Sequence, residues 1–144
     1  MYDFIGDIHG SYNKLINLLI KLGYQKDKDG IYFHKTRKVF FLGDFIDGGS
    51  QVVECFRLVR AMVDKNYAEA ILGNHELNLI AFYLKSKKGN YYLRDRNNSN
   101  IKQCYQSLEL IFDKNAENNI AFLLSLPVFV ETEKFRAIHA CWEN

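Results

Sequence analysis

The sequence is poor in the features that mark several large protein classes. No apolar run reaches the roughly twenty residues that a membrane helix needs. A strand pattern begins at Tyr2 and a glycine-flanked motif at Gly6, so a cleavable leader is not expected within this sequence. Proline occurs once, at Pro127, and the nine glycines are scattered, so linkers and low-complexity tails are not expected. The three cysteines, Cys55, Cys104 and Cys141, form no CxxC pair and cannot all pair internally, which fits a reducing cytoplasm. Lys and Arg (19) nearly balance Asp and Glu (17), for a formal charge of +2, and no basic stripe alternates with aromatics. Neither a nucleic acid nor a membrane is therefore an expected partner. The absence of a GxxxxGK[ST] run argues against a P-loop nucleotide site, and the absence of GxSxG argues against a serine-hydrolase elbow.

What is present is an ordinary globular composition, 48% hydrophobic and 25% charged over 144 residues, which suits one domain spanning 1–144. Within it, three apolar runs stop at a glycine followed at once by an oxygen-bearing side chain and a histidine or second carboxylate. They are Gly6-Asp7-Ile8-His9-Gly10, Gly43-Asp44-Phe45-Ile46-Asp47-Gly48-Gly49 and Gly73-Asn74-His75-Glu76. A fourth run, Phe135 to Ile138, ends on His139. One such motif is an ordinary strand-to-helix turn, where Gly, Asp and Asn are common for backbone reasons. Their recurrence at successive strand ends is the informative feature.

Periodicity places strands at Tyr2–Ile5, Ile31–His34, Lys38–Leu42 and Ala68–Leu72. A helix after Ser11, its expected N-cap, has Leu15, Leu18, Leu19 and Leu22 on one face and closes at Gly23. A charged turn follows at Gln25–Gly30. The second helix carries Val52, Phe56, Val59 and Val63 on one stripe, and a third runs over Glu76–Leu84. Lys85–Asn100 is polar and reads as a long surface loop. Two further helices are expected at Ile101–Asp113 and Glu117–Leu126, then a hairpin of Pro127–Thr132 and Phe135–Ala140 turned at Glu133-Lys134. Val39-Phe40-Phe41-Leu42 is apolar without alternation, as in a strand buried on both faces. The alternation of strand and helix predicts an α/β fold with a mostly parallel βαβ sheet. Ligands of such sheets bind beyond the carboxyl ends of the strands, where all three motifs fall.

Asp7 and His9, two residues apart, can converge on one ion while Ile8 points away. Asp44 has two oxygens and can bridge two cations, Asn74 offers an amide oxygen, and His139 an imidazole nitrogen. Mixed carboxylate, amide and imidazole ligation suits Mn²⁺, Fe or Zn²⁺ better than Ca²⁺. Two such ions about 3.5–4 Å apart would hold a water as hydroxide and clamp a phosphoryl group. His75 is a candidate general acid and Asp47 a candidate carboxylate to orient it. His34 reads as a plain strand residue, and Cys141 as a small buried hydrophobe.

In their order and spacing, GDIHG, GDFIDGG and GNHE resemble the calcineurin-like metallophosphoesterases. More narrowly, they are similar to the phosphoprotein phosphatases and to bacterial relatives that cleave diadenosine tetraphosphate symmetrically. The Ile138-His139-Ala140-Cys141-Trp142 end resembles the HACW form of that family's third histidine motif. The resemblance implies the N-terminal half of a four-layer α/β/β/α sandwich, two divalent ions with manganese foremost, and hydrolysis of a phosphorylated protein or a dinucleoside polyphosphate. Carried over, it assigns Asp7 and His9 to the first ion, Asp44 to the bridge, and Asn74 and His139 to the second. His75 would donate the proton, paired with Asp47, and Glu76 would support the loop.

Two departures stand out. The family pattern GDxxDRG has an arginine where this chain has Gly48, so a phosphate-gripping guanidinium is missing. Arg94 and Arg96 are candidate substitutes for substrate binding. The family also takes a further histidine ligand from a motif beyond the HA motif, and the expectation is a domain incomplete at its C-terminus. The alternative function is accordingly a catalytically impaired metal-binding or interaction module.

Overall fold

The computed structural model describes residues 1–89 and 91–142. Its centre is a three-stranded parallel sheet of β1 (Tyr2–Ile5), β4 (Lys38–Phe41) and β5 (Ala68–Ala70), in the order β1-β4-β5. Tyr2 pairs with Lys38 and Ile5 with Phe41, while Val39 pairs with Ala68 and Phe41 with Ala70. The connections are α1 (Tyr12–Lys21), a small antiparallel pair of β2 (Gln25–Lys26) and β3 (Tyr32–Phe33), and α2 (Val52–Asp64). After β5 come α3 (Asn74–Tyr83), α4 (Asn98–Cys104), a 3₁₀ turn at Tyr105–Ser107, α5 (Leu108–Phe112) and α6 (Ala116–Ser125). A hairpin of β6 (Phe129–Glu131) and β7 (Arg136–Ile138) follows. The expected α/β class and mostly parallel sheet are what the chain forms.

Alternation along β4 explains why its run is apolar throughout. Val39 and Phe41 enter the main core with Leu15, Leu19, Phe56 and Val59 of the helices, while Phe40 joins Ile71 and Ala137 on the opposite face. The β6–β7 hairpin covers that second face, where Tyr2, Phe4, Phe40 and Phe135 meet at ring-centroid distances of 5.3 to 6.2 Å. Glu133-Lys134 is a weak turn signal, yet the turn is held by the neighbouring Thr132, whose hydroxyl accepts from the N–H groups of Lys134 and Phe135. The hairpin is tied to the sheet through the Leu72 N–H, which donates to the Pro127 carbonyl at 2.9 Å.

Several local expectations need correction. Ser11 precedes α1 but its side chain makes no capping bond, and of the four leucines only Leu15 and Leu19 are buried while Leu18 is exposed. Gln25 and Lys26 belong to a strand, so the charged turn starts at Asp27, whose carboxylate accepts from the N–H groups of Asp29 and Ile31. The helix expected over 101–113 is broken at Tyr105–Ser107. The long loop is shorter than expected: Lys85 and Tyr92 form a bridge, and α4 starts at Asn98. Asn90 of that expected loop lies outside the described residues, as do Glu143 and Asn144 at the end of the chain. Cys141 is exposed rather than buried, and all three cysteines are free. Among the described residues no helix is long and apolar enough to cross a membrane.

Candidate metal centre

The carboxyl ends of β1, β4 and β5 each lead into a loop that carries one motif, and β7 delivers His139 to the same end. Glu76 locks two of these loops together. It is fully buried, and its carboxylate accepts from the N–H groups of Asp44 (2.8 Å), Phe45 (3.0 Å), Ile46 (3.3 Å) and Gly73 (2.9 Å). Burial pushes this carboxyl up from its usual range, while the N–H groups of Asp44 and Gly73 pull the other way. Glu76 is the third residue of α3, so one side chain caps its own helix and gathers the β4 loop. This is the supporting role expected of it.

Asp44 lies at the focus. Its Oδ1 accepts from the His75 N–H at 3.0 Å, at the start of α3 where the helix dipole favours an anion. Its Oδ2 faces three imidazoles: His139 Nε2 at 3.1 Å, and His9 Nε2 and His75 Nε2 each at 3.9 Å. A Cβ at Gly73 would fall 2.1 Å from Asp44 Oδ1, so only glycine lets the β5 loop approach this closely.

The backbone is strained where the side chains converge. Asp7, His9, Asp44 and Asp47 have φ of +50°, +43°, +51° and +60°; among the described non-glycine residues only Asn66 joins them in the left-handed region. Each such conformation costs about 1–3 kcal/mol and persists only where the surroundings enforce it. Here the enforcing contacts include the Glu76 carboxylate and a 2.9 Å bond from the His9 N–H to the Asp44 carbonyl.

The donor set suits a cation. His139 Nδ1 lies 2.7 Å from the Leu42 carbonyl, which can only accept, so Nδ1 carries a proton and, in the neutral ring, Nε2 offers a lone pair. Nε2 lies 3.1 Å from Asn74 Oδ1 and 3.1 Å from Asp44 Oδ2, so a neutral His139 ring turns its lone pair toward two oxygen acceptors. His9 repeats the pattern, with Nδ1 against the Ile46 carbonyl at 3.3 Å and Nε2 turned toward Asp44. Such orientation of the far ring nitrogen is what metal-binding histidines require. The ligand atoms group as His9 with Asp44 and His75, and as Asp7 with Asp44 and His139, each group within 4.8 Å. The other four expected ligands thus gather near Asp44, Asn74 through His139, but Asp7 falls beside His139 rather than beside His9.

His75 Nδ1 lies 2.8 Å from Asp47 Oδ2, and Asp47 is 1% exposed, so the expected acid and its carboxylate do pair. One partner was missed by sequence reasoning. Ser107, buried and sixty residues away, donates its hydroxyl to Asp47 Oδ1 and accepts the Asp47 N–H at 3.0 Å. The available signal was a small polar residue on the same stripe as Cys104, Leu110 and Ile111, all of which are buried.

The two candidate arginines are employed elsewhere. Arg94 donates to Asn100 (3.0 Å) and Gln103 (2.6 Å). Arg96 donates to the Phe82 carbonyl and lies 3.3 Å above the Tyr92 ring centre. Among the described residues neither contacts the Asp44 cluster. Gly48 is exposed with φ of +75°, and a Cβ there would sit 3.1 Å from His9 Cβ, so this backbone is shaped for glycine. His34 accepts from the Thr36 N–H at 3.2 Å and rests against Tyr24, a structural role.

Comparisons with known proteins agree with this architecture. A curated protein of Oceanobacillus iheyensis, named bis(5'-nucleosyl)-tetraphosphatase PrpE (asymmetrical), is 36% identical over 119 residues, covering 82% of this chain and 44% of the relative. One of Buchnera aphidicola, named bis(5'-nucleosyl)-tetraphosphatase, symmetrical, is 37% identical over 84 residues, covering 58% of this chain and 27% of the relative. The chain thus spans less than half the length of these curated relatives. A crystal structure of a metallophosphoesterase from Sphaerobacter thermophilus superposes with a TM-score of 0.60 at 20% identity, over 94% of this chain and 44% of that one, a likeness of fold. The family described as Calcineurin-like phosphoesterase matches residues 2–136, and the chain belongs to that family.

Proposed function

We propose that this chain carries the metal-holding part of a hydrolase that cleaves a phosphoester or phosphoanhydride of a dinucleoside polyphosphate. The observation that carries the reading is the convergence of His139 Nε2, Asn74 Oδ1 and Asp44 Oδ2, three lone-pair atoms about one point, beside the buried Asp47–His75 pair. Asp7, turned from its place beside His139 toward His9, would hold one divalent ion with His9 and Asp44, and Asp44, Asn74 and His139 would hold a second, with manganese the first choice. Such ions, when bound, neutralise phosphoryl charge and supply an activated water. His75 donates its Nδ1–H to Asp47 Oδ2, so the proton exchanged with a leaving oxygen is carried at Nε2. The substrate class is supported by the names of the curated relatives, and a reducing cytoplasm by the three free cysteines. A metal-binding module without turnover is the second reading, and Gly48 in place of the arginine is what favours it.

The test is to incubate the chain with Mn²⁺ and diadenosine tetraphosphate, with a phosphopeptide in parallel, and to separate the products. Metal-dependent release of nucleotides is the expected result. Two equal products mean cleavage at the bridge centre, and unequal products mean cleavage off-centre. Peptide dephosphorylation alone would replace the substrate class, and Mn²⁺ binding without turnover would favour the second reading.

A further inference from the structure

We propose that Ser107 is a positioning residue for His75, acting through Asp47; this rests on the reading of His75 as the proton carrier. Two reciprocal bonds make the case. The Ser107 hydroxyl donates to Asp47 Oδ1, and the Asp47 N–H donates back to Ser107 Oγ at 3.0 Å. The first fixes the carboxylate's rotamer, and the second fixes a backbone held at φ +60°. Among the described residues, Asp47 Oδ2, 2.8 Å from His75 Nδ1, is thereby left a single partner and a single direction. Ser107 is wholly buried and Asp47 nearly so, which leaves little water to take over either bond.

The chain is shaped to deliver this hydroxyl. The helix expected to run unbroken through this region breaks into a 3₁₀ turn at Tyr105–Ser107, and Ser107 ends that turn. Local preference yields to a tertiary contact at this point, as it does at functional sites. The flanking segment is anchored by the arginines that the sequence offered as substrate ligands. Arg94 bonds Asn100 and Gln103 of α4, and Arg96 lies over the rings of Tyr92, Phe82 and Phe112. Arg94 thereby ties the loop to α4, the helix that leads directly into the turn carrying Ser107.

The experiment reads the His75 ring in the metal-free chain by histidine N–H correlation NMR, at a pH where the ring is neutral, with His75→Asn to assign it. Wild type is expected to show one tautomer, protonated at Nδ1. Ser107→Ala should show both tautomers, and Ser107→Thr, which keeps the hydroxyl, should restore one. The Nδ1 protons of His9 and His139, held by the Ile46 and Leu42 carbonyls, should not move in either variant. If Ser107→Ala does not fold, the near-isosteric Ser107→Cys takes its place. In the Mn²⁺-loaded chain, kcat should fall roughly tenfold or more with KM little changed. A single Nδ1–H tautomer persisting in Ser107→Ala, or in Ser107→Cys where that is used, would overturn the proposal. So would loss of order at all three histidines together. Absence of turnover in wild type would count against the proposed hydrolase and leave the tautomer result standing.

Discussion

The two ends of the parallel sheet handle charge in opposite ways. At the amino end the charges are paired with full opposite charges: Asp3 with Arg37, Glu69 with Lys38, and Asp27 and Asp29 with Lys65. At the carboxyl end Asp7, Asp44, Asp47 and Glu76 gather with no lysine or arginine in contact among the described residues; the last three are buried and answered by backbone N–H groups, imidazoles and a hydroxyl. The backbone differs too, since the left-handed non-glycine residues of the carboxyl end are candidate site residues, and the amino end has only Asn66. One end spends its charges on holding the chain together. The other keeps negative charge and lone pairs unneutralised, at the expense of local strain, which is the arrangement a cation would complete.

Neutralising the carboxyl end at its focus should have the largest effect. Asp44→Asn keeps an oxygen for the His75 N–H but removes the charge that faces three imidazoles. Mn²⁺ affinity, read by isothermal titration, is expected to fall by about a hundredfold or more, since even residues that merely support a ligand are worth about 10–100-fold. Affinity within a factor of two of wild type would mean that the carboxyl end is not organised around Asp44.

Next in size is Glu76→Ala, which takes the acceptor from four buried N–H groups at once. Stability in urea is expected to drop by about 3 kcal/mol or more, given about 1–3 kcal/mol for each buried group left unpaired. An unchanged midpoint would show that water or a rearranged loop replaces it.

The smallest effect belongs to the amino end. Lys65→Met removes the ammonium that holds Asp27 and Asp29, and its signature is a pH window. Lys65 holds the Asp27 carboxyl below its ordinary range, so that contribution is full above about pH 4 and fades as pH falls through the lowered value. Asp27 and then Asp29 raise the Lys65 ammonium, so its contribution is full below about pH 10 and fades as pH rises through the raised value. The difference in melting temperature between wild type and Lys65→Met should therefore be widest between those limits and narrow on both sides. A difference independent of pH would assign the effect to packing of the lysine stem instead.

Much of this was legible beforehand because the informative residues are local. The glycines at 6, 43 and 73 mark where strands end, and the residue after each is one of the candidate ligands that the fold brings together. The buried stripe of α2 follows from its period at Val52, Phe56 and Val59, although Val63 is only partly buried. Other features were not legible, for another reason. Arg94 and Arg96 stand out in the sequence by charge alone, whereas in the fold a nearby carbonyl, amide and rings engage them. The helix over 101–113 has acceptable propensity throughout, and nothing in its own turns announces a break for a partner sixty positions earlier.

Which side chains could bind a cation, and at which strand ends they stand, is readable from the chain alone, because Gly-Asp and Gly-Asn turns are short-range chemistry. That Asp44 is the common neighbour, that Glu76 gathers two loops and that Ser107 stands behind Asp47 emerges only on folding. Those outcomes depend on burial. A carboxylate removed from water must take its partners from whatever the fold brings within about 3 Å, and no local stretch of sequence specifies that neighbourhood.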